Sequence, residues 1–461
     1  MNDNSTSSEA LKKSIGFWGL LAMGVGAVIG DGIFLLMGEA IQTAGPVGGL
    51  LAFLVAGLLQ IALMIGLSEL AVAIPSPGGM ALWVEKFLGK WWGFLTGISF
   101  ALGYVITGAT CGIAIGKFTC YWFPSLDSQV WTMIFALGFN LIFAVINIFG
   151  TQLAAKTQLA MTVALVIIMA AFAILGIGNV DLSNFSPAFV NGMDGFTTAL
   201  PMGVYAYMGA VCLTTAGGEC KRPRDLGKAL LWSGVVFVVL YASCQFVATG
   251  IVPFDEVGLD TSIFTLAAEK VFGAAGGTIL NIAAWFAAAT CLLMGSFYTS
   301  SRVFYQLAKS HGLPRRFAVL GKHGTPTFGI IITYIAVVIC TLIAYYAPNA
   351  VYVALTNQNV MVWVIAWGLA LICPFILRKK HYNLIEKSGW KQPLWPVFPI
   401  IGIVGCAYTF YLGVCAGPVH VLITVCWIGI SAAYYFLYAK KNYTGMLSDD
   451  EDSGAKLMNQ L

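Results

Sequence analysis

Long, nearly uncharged apolar runs are the feature that most limits what this chain can fold into. Residues 15–37, 50–74 and 157–177 each hold about 20 residues or more with few or no charged side chains, which is the length of an α-helix that crosses a lipid bilayer. Apolar residues make up 59% of the chain and charged residues only 10%, whereas soluble domains contain roughly 25% charged residues. We therefore expect the bilayer to surround most of the chain.

Polar segments between the apolar runs divide the chain into twelve predicted helices. The predicted ranges are residues 15–38, 46–74, 91–115, 129–149, 155–178, 195–217, 228–250, 278–302, 326–346, 350–377, 397–416 and 418–438. The predicted fold class is therefore an all-α integral membrane protein of about twelve transmembrane helices.

The positions of lysine and arginine predict the orientation of these helices. If the N-terminal tail is cytoplasmic, the inner loops and tails collect all of the 24 lysines and arginines except Lys117 and Lys270. Such an excess of positive charge is typical of cytoplasmic loops. Both tails, residues 1–14 and 439–461, are thus predicted to be cytoplasmic. The acidic loop 251–277 is predicted outside, where it could hold a short interfacial helix.

The beginning of the chain lacks the pattern of a cleaved signal peptide. The first fourteen residues are polar, and the apolar run that follows is too long for the apolar core of a signal peptide. We therefore expect the first helix to direct the chain to the membrane. The predicted localisation is the cytoplasmic (inner) membrane, as a multi-pass protein with the lipid bilayer as its surroundings.

The eleven cysteines and four histidines do not show the patterns of a metal or redox site. Most cysteines lie inside apolar runs without C-x-x-C spacing, and the histidines fall in predicted loops. No nucleophile–base pair, metal cluster or phosphate-binding loop falls at one membrane depth. We therefore expect no enzyme activity, no metal or other resident cofactor and no nucleic-acid partner, and the sequence leaves the oligomeric state open.

The first predicted helix carries an unusual run of glycines around an acid. Gly24, Gly26, Gly30, Asp31 and Gly32 lie near the middle of the bilayer. Each glycine costs a helix about 1 kcal/mol relative to alanine, and a carboxylate at this depth costs roughly 2.5–3.5 kcal/mol. Close packing of small residues would explain the glycines but not the acid. We therefore predict that the chain unwinds at residues 30–32 to form a binding site.

A second interrupted helix is predicted five helices later. Pro201 and Gly203 precede the sequence Y-A-Y-M-G at 205–209, and paired interruptions of this kind mark a binding site between inverted repeats. A simple proline kink is the competing interpretation. On the first interpretation, residues 15–178 and 195–377 form the two repeats, and helices eleven and twelve, within 397–438, follow them.

Four motifs in order along the chain resemble those of the amino acid-polyamine-organocation (APC) superfamily of permeases. They are 26–34, similar to the family's first-helix G-x-G-I-F; 69–79, similar to E-L-x-x-x-x-P-x-x-G-G and followed by W-G-F at 92–94; 219–224, similar to E-x-K-N-P-x-R; and 301–314, similar to S-R-x-x-Y-x-x-A-x-x-G-x-L-P. The resemblance covers roughly residues 12–438. It implies the leucine-transporter-type fold, five plus five inverted helices with two C-terminal helices, and coupled transport by alternating access.

The resemblance also implies where a small amino acid or amine would bind. In such permeases the substrate carboxylate rests on the G-x-G backbone of helix one, its amine meets carbonyls of helices one and six, and an aromatic residue of helix six covers it. The matching substrate-binding positions are Val28, Gly30, Asp31, Gly32, Tyr205, Ala206 and Met208, with Tyr205 as the covering aromatic residue.

Two positions depart from the pattern of the family. The middle residue of G-x-G is usually small and neutral but is Asp31 here, and Leu165 stands where many members have a lysine that replaces a coupling cation. Asp31 is therefore the candidate for proton coupling, while Na⁺ coupling and substrate exchange stay open. An ionised Asp31 would instead favour a cationic substrate.

Other polar residues are weaker candidates. Tyr104, Thr290 and Asn357 could line the cavity from helices three, eight and ten, although Thr290 could equally bond its own helix backbone. Glu69 and Glu219 lie at predicted inner helix ends, where we expect them to organise cytoplasmic loops.

The leading functional prediction is secondary active transport of an amino acid by symport or exchange. The alternative keeps the fold but carries a cationic amine or polyamine, with Asp31 as its counter-ion. A channel would need a continuous polar pore lining and a transport-derived sensor would need a cytoplasmic output domain, and the sequence shows neither.

Overall fold

A computed structural model describes residue 13 and residues 15–258, 262–346 and 350–446 of the chain. Within these residues there is no β-strand, and an isolated bridge pairs Ile15 with Cys220. Twelve helices in this part of the chain are long and apolar enough to cross a membrane. The predicted all-α fold with twelve spans is confirmed.

The twelve spans are named α1 to α12 in chain order, and α1 and α6 each consist of two halves. Their bounds are α1a Phe17–Val28, α1b Asp31–Ala44, α2 Pro46–Ala73, α3 Lys90–Trp122, α4 Gln129–Phe149, α5 Thr151–Gly176, α6a Gly192–Ala206, α6b Met208–Gly218, α7 Pro223–Ile251, α8 Ile263–Lys309, α9 Thr327–Tyr346, α10 Ala350–Lys380, α11 Val397–Cys415 and α12 Pro418–Tyr434.

Proline and glycine set several helix ends. α2, α7 and α12 begin with Pro46, Pro223 and Pro418. Proline is tolerated at the first position of a helix because the N–H group it lacks would have no partner within the helix. Gly45 ends α1b and precedes α2 with φ 86°, and a Cβ there would lie 2.8 Å from the Ala188 carbonyl oxygen. Only glycine fits this tight turn without strain.

Some helix bounds differ from the predicted ones. α8 begins at Ile263, well before the predicted residue 278, but Gly273 (φ 68°) interrupts it. Residues 263–272 therefore form a separate helical segment in the predicted outer loop, where a short helix was expected. Two short helices, Gly79–Leu88 and Tyr382–Ser388, were not predicted because neither is long enough to give a transmembrane signal.

Most of the predicted tails lie outside the described residues. The tail residues outside the description are all of 1–14 except Lys13, and residues 447–461 with their acidic run at 449–452. Asp260 of the acidic outer loop also lies outside them.

The C-terminal segment 443–446 is docked on the end of the molecule where α8 finishes. The Tyr443 hydroxyl donates to the Glu85 carboxylate, and the Met446 amide donates to Glu85 Oε1 over 2.6 Å. The Thr444 amide donates to the Ser310 carbonyl just after α8. Burial raises the pKa of Glu85, although the hydrogen bonds from Tyr443 and Met446 lower it. The segment thus joins the short helix Gly79–Leu88 to α8.

Glu69 and Glu219 also join elements at this end of the molecule. Glu69 is fully buried at the end of α2, where it pairs with the Arg378 guanidinium of α10 and accepts from the Gln392 amide over 2.8 Å. Glu219 follows α6b and lies 3.8 Å from the Arg302 guanidinium of α8. Each acid therefore pairs with an arginine of another transmembrane helix.

Candidate functional site

The first helix is broken at Ile29 and Gly30. α1a ends at Val28, the backbone of Ile29 and Gly30 is extended, and α1b begins at Asp31. The predicted interruption is present, but the prediction that the chain unwinds through residue 32 was wrong. Two extended residues suffice to redirect the chain, and an acid in the first turn of α1b is favoured by the positive end of the helix dipole.

The sixth helix is broken between Ala206 and Met208. α6a continues past Pro201 to Ala206, and α6b resumes as a tighter helix at Met208, so the break does not lie at the proline. A Cβ on Gly209 would collide with the Ala27 carbonyl oxygen. Glycine at this position therefore allows α6b to approach the end of α1a.

The Asp31 carboxylate is buried among donors from two other helices. It is 2% exposed. The Tyr205 hydroxyl of α6a donates to it over 3.2 Å, and the Cys111 thiol of α3 donates over 3.0 Å. The Thr110 hydroxyl lies 2.5 Å from the Tyr205 hydroxyl, which extends the chain of hydrogen bonds into α3. A carboxyl group in this setting can exchange a proton or face a cation.

The carbonyl ends of α1a and α6a converge on one tyrosine of α7. The Tyr241 hydroxyl lies 3.0 Å from the Val28 carbonyl oxygen and 3.4 Å from the Ala206 carbonyl oxygen. Val28 and Ala206 are the last residues of their half-helices, where carbonyl groups lack intrahelical partners and carry partial negative charge. The carbonyl pair therefore offers a place for a positive group.

A cavity of about 20 Å³ lies between the two breaks. Its lining residues come from α1, α3, α6, α8 and α10, and they are Ala27, Val28, Gly30, Asp31, Gly32, Tyr104, Thr107, Tyr205, Ala206, Met208, Gly209, Cys291, Gly295 and Trp363. This is about the space of one water molecule, whereas sites for small molecules measure roughly 300–1,000 Å³. The helices are therefore closed around the site, and an amino acid needs them to move apart.

Four aromatic rings pack edge to face next to the first turn of α1b. The ring of Phe34 lies 5.3 Å from that of Phe264 and 6.3 Å from that of Phe118, and Phe172 lies 6.3 Å from Phe264. All four rings are buried. These ring contacts join α1b to α3 and α8, and α8 to α5.

The comparison with protein families decides the identity of the fold. The sequence profile of a family described as amino acid permease matches residues 19–446, which is most of the chain. The chain belongs to this family. The resemblance to APC permeases is thereby confirmed, and the protein is a multi-pass membrane protein of a family of small-molecule transporters.

Curated bacterial permeases align with this permease over most of their length. The amino-acid permease RocE of Bacillus subtilis (strain 168) is 28% identical, covering 87% of this chain and 89% of RocE. A putative histidine permease of the same organism is 27% identical, and the alignment covers 96% of this chain and 97% of that permease. The lysine-specific permease LysP of Lactococcus lactis subsp. cremoris (strain MG1363) is 26% identical, and the alignment covers 87% of this chain and 84% of LysP.

The structure brings all seven sequence-based binding positions of the permease to this cavity. Tyr104 also lines it, and its hydroxyl donates to the Gly209 carbonyl over 3.3 Å. Thr290 does not line it and donates to the Ala287 carbonyl of its own helix. Asn357 does not line it either. That substrate binds there stays a prediction.

Several residues around the cavity were missed by sequence reasoning. They are Thr107, Cys111, Tyr241, Cys291 and Trp363. Each lies in a continuous apolar run without a glycine–acid or proline signal. Asn359 does not line the cavity either, but it donates to the cavity residue Thr107 over 2.9 Å.

Proposed function

We propose that this permease is a secondary active transporter that moves an amino acid across the cytoplasmic membrane by alternating access. The observation that carries the proposal is the meeting of two broken helices at one cavity. The start of α1b presents backbone N–H groups that suit a carboxylate, and the carbonyl ends of α1a and α6a suit an ammonium group. An amino acid carries both groups on one carbon atom.

The carboxylate of Asp31 distinguishes this site from a neutral G-x-G loop. Asp31 begins α1b, so when ionised it repels a substrate carboxylate bound at the same helix start. Protonation removes that repulsion. We therefore propose proton-coupled transport, with Asp31 as the proton carrier, and substrate exchange when no proton gradient is present.

A cationic amine with Asp31 as counter-ion is the second candidate. The supporting observation is the placement of this acid in the cavity lining, where it would pair directly with an ammonium group. Relatives named for lysine and, putatively, for histidine favour an amino acid, because both names denote substrates that keep their α-carboxylate.

A thermal-shift screen of the purified permease tests the function. A ligand that binds only the folded state at 100 times its dissociation constant adds about 2.7 kcal/mol to the free energy of unfolding. We expect an L-amino acid to raise the melting temperature more than its decarboxylated amine or its 2-hydroxy acid does. A shift with the amine alone supports the second candidate. No shift, together with no exchange of any amino acid in proteoliposomes, would refute both.

We also propose that both termini face the cytoplasm, as the distribution of lysine and arginine predicts. Asp255 lies in an exposed loop after α7, and Lys379 is exposed at the end of α10. In a background with the exposed Cys415 and Cys426 replaced by serine, an impermeant thiol reagent should label Asp255→Cys in intact cells. Lys379→Cys should react only after the membrane is opened, and the reverse pattern would overturn the orientation.

A further inference from the structure

Tyr241 is the one described side chain whose hydrogen bonds reach the last carbonyl of both interrupted helices. Its hydroxyl lies 3.0 Å from the Val28 oxygen and 3.4 Å from the Ala206 oxygen, and the side chain is fully buried. α7, which carries it, is continuous from Pro223 to Ile251. An uninterrupted helix therefore supplies the contact that links the two interrupted ones.

Electrostatics explains why such a link is needed. Both half-helices end at the site with their negative dipole ends, and two carbonyl groups that point at one place repel each other unless a positive group or a donor lies between them. A hydroxyl group supplies one hydrogen. The Tyr241 hydroxyl therefore uses only part of the acceptor capacity of the Val28 and Ala206 carbonyl oxygens. Lone pairs on these oxygens are left for a further donor.

We propose that Tyr241 is a positioning residue for the substrate ammonium group. This proposal rests on the proposed function, since it assigns Val28 and Ala206 carbonyls to the amine of an amino acid. The hydroxyl holds both oxygens at one point in the closed site, so the ammonium group meets acceptors already in place. A preorganised acceptor pair binds more tightly than one that must be assembled during binding.

Tyr207 offers a matched control within the same aromatic cluster. Its ring lies 4.8 Å from that of Tyr241 and it is also fully buried. Its hydroxyl has no hydrogen-bond partner among the described residues, and its side chain does not line the cavity. Tyr207→Phe therefore removes the same atom from the same environment without touching either carbonyl.

The first experiment measures binding by the full-length permease and its two variants. The probes are the L-amino acid that most raises the melting temperature of the wild type, its decarboxylated amine and its 2-hydroxy acid. In Tyr241→Phe we expect affinity for the amino acid and the amine to fall about tenfold, the size of one lost hydrogen bond near a charge. Affinity for the 2-hydroxy acid and all affinities of Tyr207→Phe should stay within about twofold.

The contrast between the two analogues separates positioning from general damage. Equal losses for the amine and the 2-hydroxy acid would mean that Tyr241 only supports the fold. An unchanged or increased affinity for the amine would mean that its hydroxyl does not position the acceptors. Either result overturns the proposal. The proposed function is tested separately, by whether the wild type binds an amino acid at all.

A second experiment needs no ligand. The Cys291 thiol of α8 donates to the Ala27 carbonyl over 3.1 Å, one residue before Val28, so its reactivity reports on the end of α1a. Alkylation of Cys291 in purified protein, followed by peptide mass spectrometry, should be about tenfold faster in Tyr241→Phe than in Tyr207→Phe, because the half-helix end opens more often. Equal rates would overturn the proposal even if no amino acid binds.

Discussion

Replacing Gly32 with leucine is expected to abolish transport while leaving the protein inserted in the membrane. A Cβ at Gly32 would lie 2.8 Å from the Ala206 Cα atom and 2.9 Å from Tyr205 Cδ1. The first of these is a backbone atom of α6a, so the collision cannot be relieved by turning a side chain. Leucine adds three further carbon atoms to the contact between α1b and α6a, at the residues that line the cavity.

The expected loss of uptake is large because the site depends on this contact. Overpacking of a close contact costs typically 1–3 kcal/mol, and at the upper end of this range uptake falls roughly 100-fold, to the background of an uptake measurement. Gly30→Ala should be milder, because its Cβ would meet the Cys291 Sγ atom at 2.6 Å, which is a side chain that can turn away.

Gly138→Leu is the matched control for this experiment. Gly138 lies within α4 and a Cβ there would have no atom within 4 Å, so leucine at this position should leave uptake and surface expression near the wild-type level. Uptake is measured with the amino acid found in the binding screen, and insertion by surface labelling. Normal uptake by a correctly inserted Gly32→Leu protein would contradict the placement of the site.

The fold was largely predictable because the spans are separated by clear polar signals. α4 shows this best: the predicted range 129–149 is the observed one. Ser128 caps its first turn by accepting from the Trp131 amide, and Gly150 (φ 133°) follows its last residue. The two short helices escaped prediction because neither is long enough to give a transmembrane signal.

The site was predictable only where the chain itself is interrupted. Glycines around an acid in α1, and proline and glycine before Y-A-Y-M-G in α6, are local signals of a broken helix. Even there, sequence did not separate packing from binding: the Cβ of a residue at position 26 would collide with Thr162 of α5, so Gly26 serves helix packing. The contributions of Cys111 and Tyr241 depend on which face of a largely apolar helix turns inward, and that follows from tertiary packing.

Replacing Asp31 with asparagine is expected to remove the pH dependence of substrate binding. Asparagine keeps the size of the side chain and one oxygen, which in the place of Asp31 Oδ1 accepts from the Cys111 thiol over 3.0 Å and from the Tyr205 hydroxyl over 3.4 Å. It cannot take up or release a proton. The substitution therefore changes charge and titration while the hydrogen bonds around the carboxylate oxygen are retained.

The two candidate functions predict opposite pH profiles for the wild type. If Asp31 carries the proton, amino acid affinity rises as pH falls, because the neutral acid no longer repels the substrate carboxylate. If Asp31 is the counter-ion of an amine, affinity rises with pH, because the ionised acid holds the ammonium group. Asparagine resembles the neutral acid, so the affinity of the Asp31→Asn variant should not depend on pH. Its affinity should be high if Asp31 is the proton carrier and low if Asp31 is the counter-ion of an amine.

Accumulation in proteoliposomes completes the test. With one proton per substrate, a gradient of one pH unit supports about tenfold accumulation, since one pH unit is equivalent to about 1.4 kcal/mol. If Asp31 is the proton carrier, the Asp31→Asn variant should exchange substrate at close to the wild-type rate but should not accumulate it. Asp194→Asn is the matched control, because Asp194 lies in the first turn of α6a and is exposed, and it should behave as wild type.

Each outcome for Asp31→Asn assigns a different role to the carboxylate. Exchange without accumulation makes it the proton carrier, and loss of amine binding makes it a counter-ion. If affinity, accumulation and pH profile all match those of Asp194→Asn, both roles are refuted. The donors from α3 and α6a would then explain the acid: Cys111 and Tyr205 would use the carboxylate to join their helices to the start of α1b, at the point where the chain is broken.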